Sequence, residues 1–223
     1  MEKRMSYSVK ELFFTLQGEG AQAGRPAVFC RFSGCNLWSG REEDRDSAQC
    51  TFCDTDFVGT DGQNGGKFAD AASLADAIMA FWPEEPMNGE VGADAYVVFT
   101  GGEPCLQLDA ALLDEMHKRG FECAVETNGT LDVPDAVDWI CVSPKPGNAL
   151  QQTRGHELKF VYPQETLSPD AYAEMDFEHF YLQPMDTGEA ETSWHNVQAA
   201  IAYCLQNPQW RLSLQTHKII GLD

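Results

Sequence analysis

The sequence has little positive charge and no long apolar run. It holds 15 basic residues against 35 acidic ones among 223, a formal charge of −20. Nucleic acids and anionic membrane surfaces both draw on positive protein charge, so this balance argues against either as a partner. No stretch approaches the roughly 18 apolar residues of a membrane span, and the N-terminus, 1–4, lacks an apolar signal core. We therefore expect a cytoplasmic protein that acts on a small molecule.

Histidine is also scarce, and none occurs before His117. The first half of the chain therefore has no imidazole to offer a metal. The few histidines are scattered, so no Ser-His-Asp arrangement is evident. Eight cysteines in this length do not resemble a disulfide scaffold, and they suit a reducing compartment. The length predicts one domain with a sizeable core.

Three of the cysteines have a distinctive spacing: Cys35 alone, then Cys50 and Cys53 as a C-x-x-C pair. The run 40–46 between them is too polar for a core element and predicts a surface loop that brings Cys35 back to the pair. A structural zinc site is normally closed by four ligands, whereas a 4Fe–4S cluster held by three thiolates keeps one iron free. From this stretch alone an iron–sulfur site, a zinc site and plain packing all remain open.

Short apolar strands alternate with amphipathic helices, which favours a parallel α/β sheet or barrel. The predicted strands are residues 27–32, 95–100, 122–127, 139–142, 158–162, 179–182 and 211–215. Helices are predicted from about 70 to 82, from 108 to 118 and from 190 to 205, followed by Pro, Gly or Asn. Either Asp70 or Ser73 could cap the first of them.

Five of the strands end in a polar or glycine-bearing motif. These are the cysteine loop, GGEP at 101–104, ETNG at 126–129, SPK at 143–145 and QPMD at 183–186. Any one of them is explained as an ordinary turn. In parallel α/β folds, however, active sites lie at the C-terminal ends of the strands, so five such motifs together predict one shared functional rim.

Motifs near both ends of the chain add to this set: FTLQGEG at 14–20, CDT at 53–55 and LQTHK at 214–218. With them the chain resembles radical S-adenosylmethionine enzymes and, more narrowly, the 7-carboxy-7-deazaguanine synthase family of queuosine and 7-deazapurine biosynthesis. The resemblance covers essentially the whole chain. GGEP marks only the superfamily, and the terminal motifs narrow it. One departure is the cysteine spacing, since fourteen residues separate Cys35 from Cys50 where the superfamily usually has three.

The resemblance implies a single radical SAM domain over 1–223, with a cluster-binding loop insertion at 36–49. The implied fold is α/β, a partial (β/α)6-type barrel with mostly parallel strands. The implied reaction is that of a carbon–nitrogen lyase, which converts 6-carboxy-5,6,7,8-tetrahydropterin to 7-carboxy-7-deazaguanine and ammonia by radical ring contraction. Its cofactors would be a 4Fe–4S cluster, S-adenosylmethionine and Mg²⁺. Its partners would be a one-electron donor such as a flavodoxin and a second copy in a homodimer.

The resemblance also assigns residues to each ligand. The implied cluster ligands are Cys35, Cys50 and Cys53, and the implied Mg²⁺ ligand is Thr55. The residues implied to bind S-adenosylmethionine are Phe52, Asp54, Gly102, Glu103, Asn128, Ser143, Lys145, Gln183, Pro184, Met185 and Asp186. The residues implied to bind the pterin are Leu16, Gln17, Gly18, Glu19, Arg31, Thr100 and Asp223. In this scheme Phe52 packs on the adenine, Glu103 meets the methionine ammonium and Arg31 meets the substrate carboxylate.

Several of these residues have ordinary alternatives: Arg31 and Lys145 as surface cations, Met185 as core and Thr55 as a turn residue. Two other functions also remain open. One is an activase that makes a glycyl radical on a partner protein, and the other is a zinc-stabilised binding module. The cysteines outside the loop are predicted to be packing residues, namely Cys30, Cys105, Cys123, Cys141 and Cys204.

Overall fold

The computed structural model describes residues 6–83 and 95–222. Its strands are β1 Tyr7–Leu16, β2 Pro26–Phe32, β3 Gly66–Phe68, β4 Tyr96–Gly101, β5 Glu122–Thr127, β6 Trp139–Val142, β7 Arg154–Tyr162, β8 Asp176–Pro184 and β9 Trp210–Leu212. Its α-helices are α1 Ala71–Met79, α2 Ala110–Lys118, α3 Ala190–Gln206 and α4 Thr216–Ile220. Asp223, which the resemblance assigns to the substrate, lies outside the described residues.

All the strands belong to one sheet in the order β3-β1-β2-β4-β5-β6-β7-β8-β9. From β2 to β9 every neighbouring pair is parallel, whereas β1 pairs antiparallel with both β2 and β3. The sheet is not closed, since β3 and β9 are its two ends. The predicted α/β class, a partial barrel with mostly parallel strands, is confirmed.

The core lies between the sheet and the helices. The apolar faces of α1 and α2, through Leu74, Ile78 and Leu112, pack on β1, β2, β4 and β5. A second cluster packs β6 to β9 against α3, around Phe160 and Trp210. Of the two predicted caps, Asp70 is the one that caps α1, because its side chain accepts from the Ser73 amide at 2.9 Å.

Several local features differ from the sequence prediction. The N-terminal strand β1 is absent from the predicted set, as are the short β3 and the helix α4. The last strand ends at Leu212 rather than at residue 215, because the chain then turns back toward Gly18, whose carbonyl accepts the Thr216 amide. The run predicted as a loop contains a 3-10 helix over Glu42–Ser47. The strands predicted at 27–32, 95–100, 122–127 and 139–142 match β2, β4, β5 and β6 to within one residue at each end. The strands predicted at 158–162 and 179–182 lie within β7 and β8, which begin four and three residues earlier.

No helix among the described residues is both long and apolar enough to span a bilayer.

Candidate active site

A cavity of about 530 Å³ opens at the C-terminal ends of the parallel strands. Each of the five strand-end motifs contributes to its wall, so the predicted shared rim is confirmed. The lining residues that the sequence also singled out are Leu16, Gln17, Gly18, Glu19, Arg31, Phe52, Cys53, Asp54, Thr55, Thr100, Gly102, Asn128, Ser143, Lys145, Gln183, Pro184, Met185 and Asp186. Its volume is in the range of small-molecule sites.

Of the three thiols in the cysteine loop, Cys53 lines this cavity, and its sulfur is near enough to Cys35 and Cys50 to contribute to their raised pKa values. Cys35 and Cys53 are half-buried and Cys50 is buried. Burial raises the pKa of the Cys35 thiol, and the Glu103 carboxylate adds to the effect. Burial also raises the pKa of Cys50, and the Lys145 ammonium opposes it. A ligand that supplies positive charge would therefore stabilise these thiolates strongly.

The three thiols of the cysteine loop do not all lie within 4.8 Å of one another. Ligands on one tetrahedral zinc with bonds of about 2.3 Å lie roughly 4 Å apart. Among the described residues, the one group of three candidate ligand atoms all within 4.8 Å of one another is His117, Cys123 and Asp138, at the start of β5 rather than at the strand ends that line the cavity. Hydrogen bonds account for that group, since Asp138 accepts from the Cys123 amide and contacts His117, both at 2.8 Å.

The insertion at 36–49 packs onto the C-x-x-C turn. Arg45 donates to the carbonyl oxygens of Thr51 at 2.8 Å and Cys53 at 3.1 Å. Its guanidinium lies 4.1 Å above the Trp38 ring, which packs edge-on against Phe57. One arginine thus links the insertion, the cysteine pair and a buried aromatic ring.

The GGEP turn holds the cysteine loop from the other side. A Cβ at Gly102 would overlap the Gly34 carbonyl oxygen and lie 2.6 Å from the Cys35 Cβ, so only glycine allows this approach. The Glu103 side chain is fully buried and accepts from the amides of Cys105 and Asn128 at 2.9 and 2.8 Å. Because both its oxygens face protein donors, its contact with a methionine ammonium stays a prediction.

The next part of the wall comes from the ends of β5 and β6. Asn128 is buried, and its side-chain amide donates to Asn36 in the cysteine loop at 3.0 Å. Lys145 is half-buried and donates to the Ser143 hydroxyl at 2.6 Å. Lys145 lines the cavity, so the alternative that it is a solvated surface cation is wrong.

The QPMD segment after β8 has a polar atom without a partner. Gln183 lines the cavity and is 5% exposed, and its Oε1 has no hydrogen-bond partner among the described residues. A buried acceptor without a donor is costly, so this atom fits a ligand that carries an N–H group. Met185 is half-buried in the same wall rather than in the core.

A lysine of α4 ties the C-terminal segment across the mouth of the cavity. Lys218 Nζ lies 3.0 Å from Asp54 and 2.7 Å from Asp186. Its hydrogen bond lowers the pKa of Asp186 to about 2. The two aspartates come from the cysteine loop and from QPMD, so a single cation joins three parts of the rim.

Lys218→Met is expected to loosen α4 from the rim. These ion pairs are partly exposed and contribute at most about 1 kcal/mol, so amide hydrogen exchange over 216–220 should accelerate up to about fivefold. Because the pKa of Asp186 is lowered, the stability that the Lys218–Asp186 pair contributes is fully present above the ordinary aspartate pKa. It is lost only as the pH falls through about 2. The effect should therefore be equal at about pH 6 and about pH 8. Lys67→Met, at an exposed lysine on β3, is the control, and equal exchange in both variants would contradict the tie.

The opposite wall is built from the end of β1 and its neighbour β2. Gly18 is packed against His217, whose ring a Cβ at Gly18 would overlap. Arg31 faces the cavity, opposite to the buried Cys30, and its Nε donates to Glu11 at 2.7 Å. Thr100 stands beside Arg31 in the parallel register.

Two charged residues of this wall are missing from the sequence prediction. Glu126 and Lys159 both line the cavity, and Lys159 Nζ bridges Glu126 at 2.8 Å and Glu19 at 2.7 Å. Glu126 belongs to the ETNG motif, which an ordinary turn would explain. Lys159 lies among apolar residues of a predicted strand, so its local sequence does not mark it as a site residue. The available signal was a lysine in the otherwise apolar predicted run 158–162, because a lysine buried in a strand requires a partner.

The curated proteins that resemble this chain in sequence carry the same name. No family model matches the chain. It is 67% identical over 218 residues to a 7-carboxy-7-deazaguanine synthase of Bordetella pertussis, across 98% of this chain and 100% of that protein. It is 62% identical, with the same coverage, to a 7-carboxy-7-deazaguanine synthase of Caulobacter vibrioides.

A solved structure agrees with these relatives. The crystal structure of QueE from Escherichia coli matches with a TM-score of 0.66 and 28% identity, over 95% of each chain. Because the curated relatives share most residues over nearly the whole of both chains, this chain is an enzyme that belongs to the 7-carboxy-7-deazaguanine synthase family.

Proposed function

We propose that the enzyme converts 6-carboxy-5,6,7,8-tetrahydropterin to 7-carboxy-7-deazaguanine and ammonia by radical ring contraction. The observation that carries this proposal is the single cavity between the cysteine loop and the Gln17, Glu19 and Arg31 wall. It brings a site for a radical initiator and a site for a polar heterocycle into one cavity.

Cys35, Cys50 and Cys53 would hold a 4Fe–4S cluster. Besides burial, the neighbouring Cys53 and Cys35 sulfurs raise the pKa of Cys50, so the three thiols lie near one another, and Cys53 lines the cavity. A cluster held by three thiolates would leave one iron for the amino and carboxylate groups of S-adenosylmethionine. When bound, the reduced cluster and this cosubstrate supply the radical that starts the reaction.

The rest of the cosubstrate would lie along the wall from GGEP to QPMD. Gln183 Oε1 lacks a partner there and would accept from an N–H group of the cosubstrate. Asn128, Ser143 and Lys145 present polar atoms beside it. Phe52, which lines the same cavity, offers an aromatic face to the adenine.

The pterin would lie against the opposite wall. Gln17 and Glu19 face its edge, and the Arg31 guanidinium faces its carboxylate. Thr55 lines the cavity next to the cysteine pair, where its hydroxyl oxygen would be a hard ligand for Mg²⁺. These residues bind and orient the substrate, and no protein nucleophile is needed.

The wider setting is part of the same proposal. We propose that the described residues form one domain with 36–49 as a cluster-binding insertion, that the enzyme works as a homodimer, and that a one-electron donor such as a flavodoxin reduces it. Substrate and product differ by one ammonia, so the conversion itself needs no net oxidant or reductant.

An anaerobic assay tests the proposal. The full chain is reconstituted with iron and sulfide, reduced, and given S-adenosylmethionine, Mg²⁺ and 6-carboxytetrahydropterin. We expect 7-carboxy-7-deazaguanine, and we expect the yield to fall when Mg²⁺ is withheld. Formation of 5′-deoxyadenosine without pterin, and no product with it, would keep the radical chemistry but reject this substrate. One bound zinc and no acid-labile sulfide would reject the cluster.

A further inference from the structure

The insertion in the cysteine loop places one arginine against the C-x-x-C turn. Arg45 belongs to the 3-10 helix Glu42–Ser47. Its Nη1 atom donates to the carbonyl oxygens of Thr51 at 2.8 Å and Cys53 at 3.1 Å. The proposed function gives this arginine no role, although it is bonded directly to the segment that would carry two of the three cluster ligands.

The guanidinium of Arg45 is held in one orientation from two further sides. It lies 4.1 Å from the centre of the Trp38 ring, which is itself buried and packed edge-on against Phe57. Its Nε and Nη2 atoms donate to the two carboxylate oxygens of Glu42 at 2.7 and 2.6 Å. Each of its three nitrogens therefore has an acceptor, and the planar group is fixed before any ligand arrives.

One of the two carbonyl groups leads on to a cysteine sulfur. Burial raises the pKa of the Cys50 thiol, whereas the Lys145 ammonium and a hydrogen bond from the Phe52 amide lower it. The Thr51 carbonyl and the Phe52 amide are the two ends of a single peptide group. A charged donor at the carbonyl oxygen polarises that group and strengthens its N–H as a donor. Arg45 therefore acts on the Cys50 sulfur through one peptide as well as through its own charge.

The charges of Arg45 and Glu42 are arranged with the positive side toward the cysteine pair. The Arg45 side chain is 27% exposed, whereas that of Glu42 is 75% exposed. Water and salt therefore screen the carboxylate more than the guanidinium. The pKa of Arg45 is raised, first by its hydrogen bonds with Glu42 and also by the negative charges of the Cys53 and Cys50 thiolates. The guanidinium thus lies close enough to both sulfurs to interact with their charge.

Positive charge at this place bears on the reduction of an iron–sulfur cluster. Reduction adds one negative charge, and the chain already carries a formal charge of −20, with four acidic residues in the run 42–46. The potential of a cluster depends on the net charge around it and on hydrogen bonds to its sulfurs. Arg45 offers both a positive charge and a strengthened N–H···S bond, and each of them favours the reduced state.

We propose that Arg45 is a positioning residue of the insertion, which fixes the C-x-x-C turn and makes the cluster held by the three thiolates easier to reduce. This inference rests on the proposed function for the presence of the cluster. It assigns the insertion a role in setting the reduction potential. It also requires Arg45 and its partner Glu42 to act in opposite directions, which a contact that only fastened the loop would not do.

A potentiometric titration of the full chain tests this role. The protein is reconstituted anaerobically with iron and sulfide, kept free of S-adenosylmethionine, and followed by the electron paramagnetic resonance signal of the reduced cluster. Arg45→Gln keeps a side-chain donor but loses the charge, so reduction should become about three- to tenfold less favourable. Tenfold corresponds to about 59 mV for a one-electron couple. Glu42→Gln leaves the guanidinium uncompensated and should make reduction about two- to threefold more favourable.

Two further variants separate this effect from loop stability and from net charge. Arg41→Gln removes the same charge from the same loop, at a side chain that is 69% exposed and lies 3.9 Å from Glu43, and should shift the equilibrium less than about twofold. Arg45→Lys keeps the charge and should recover most of the potential, but it should lose iron to a chelator faster than the native protein, because an ammonium lacks the planar fork. If Arg45→Gln retains no cluster, Glu42→Gln decides, and a native or lowered potential in that variant overturns the role.

The outcomes keep the two proposals apart. If the native protein takes up no 4Fe–4S cluster, the proposed function fails, and the role of Arg45 fails with it. If the native protein holds the cluster and forms product, but Arg45→Gln and Glu42→Gln shift the potential in the same direction, the proposed function stands and the role of Arg45 is overturned. A shift in Arg45→Gln no larger than that in Arg41→Gln would overturn it as well, even if iron were lost faster.

Discussion

Cys50→Ala should leave the enzyme folded but unable to retain a cluster, and product formation should fall to background. Cys50 is the buried member of the three thiols, so no solvent molecule replaces it easily as a ligand. Two remaining thiolates would hold a 4Fe–4S cluster too weakly to survive reconstitution. The loss of one buried sulfur should cost folding stability only about 1 kcal/mol. Iron and acid-labile sulfide content, measured with far-UV circular dichroism, checks both parts.

Cys204→Ala is the matched control for this prediction. Cys204 is a half-buried free thiol on α3, in the apolar cluster that includes Tyr203 and Trp210. Its loss should leave iron, sulfide and product at native levels. Retention of iron and sulfide by Cys50→Ala would show that the ligand set is wrong, even if activity were low.

The sequence predicts the central strands well because they are local features. β5 and β6 are apolar runs bounded by turn motifs, and both occur at the predicted residues. By contrast, β1 carries Lys10 and Glu11 in a row, with a register irregularity between Val9 and Glu11. Lys10 is nearly buried because Asp56 and Asp61 reach it from a distant loop. No local pattern reveals such partners.

The same distinction applies to the site. Motifs at strand ends could be placed on one rim because parallel strands align their ends. The pairing of Glu126 with Lys159 could not, since β6 lies between their strands and they are 33 residues apart in sequence. The hydrogen bonds from Arg45 to the C-x-x-C turn could not be predicted either, because a run of charged residues is usually exposed to solvent.

Glu103→Ala should destabilise the enzyme by roughly 3 to 5 kcal/mol, which for a chain of this size lowers the melting temperature on the order of 10 °C. Glu103 Oε1 accepts from the Cys105 amide and from the Thr127 hydroxyl, at 2.9 and 2.8 Å. Its Oε2 accepts from the Asn128 amide at 2.8 Å. Alanine would leave three donors unpaired in a place that water does not reach, and each costs about 1 to 3 kcal/mol.

Glu103→Gln separates this structural role from the predicted contact with S-adenosylmethionine. The glutamine carbonyl can still accept from Cys105 and Thr127, and only the Asn128 amide would face an N–H group. The loss of stability should therefore be about a third of that in alanine, as thermal unfolding would show. If Glu103 acts only through the turn, S-adenosylmethionine affinity should fall no more than stability does. A loss of cosubstrate affinity of tenfold or more in a stably folded Glu103→Gln protein would instead mean that the carboxylate meets the methionine ammonium directly, which requires the turn to open when the ligand binds.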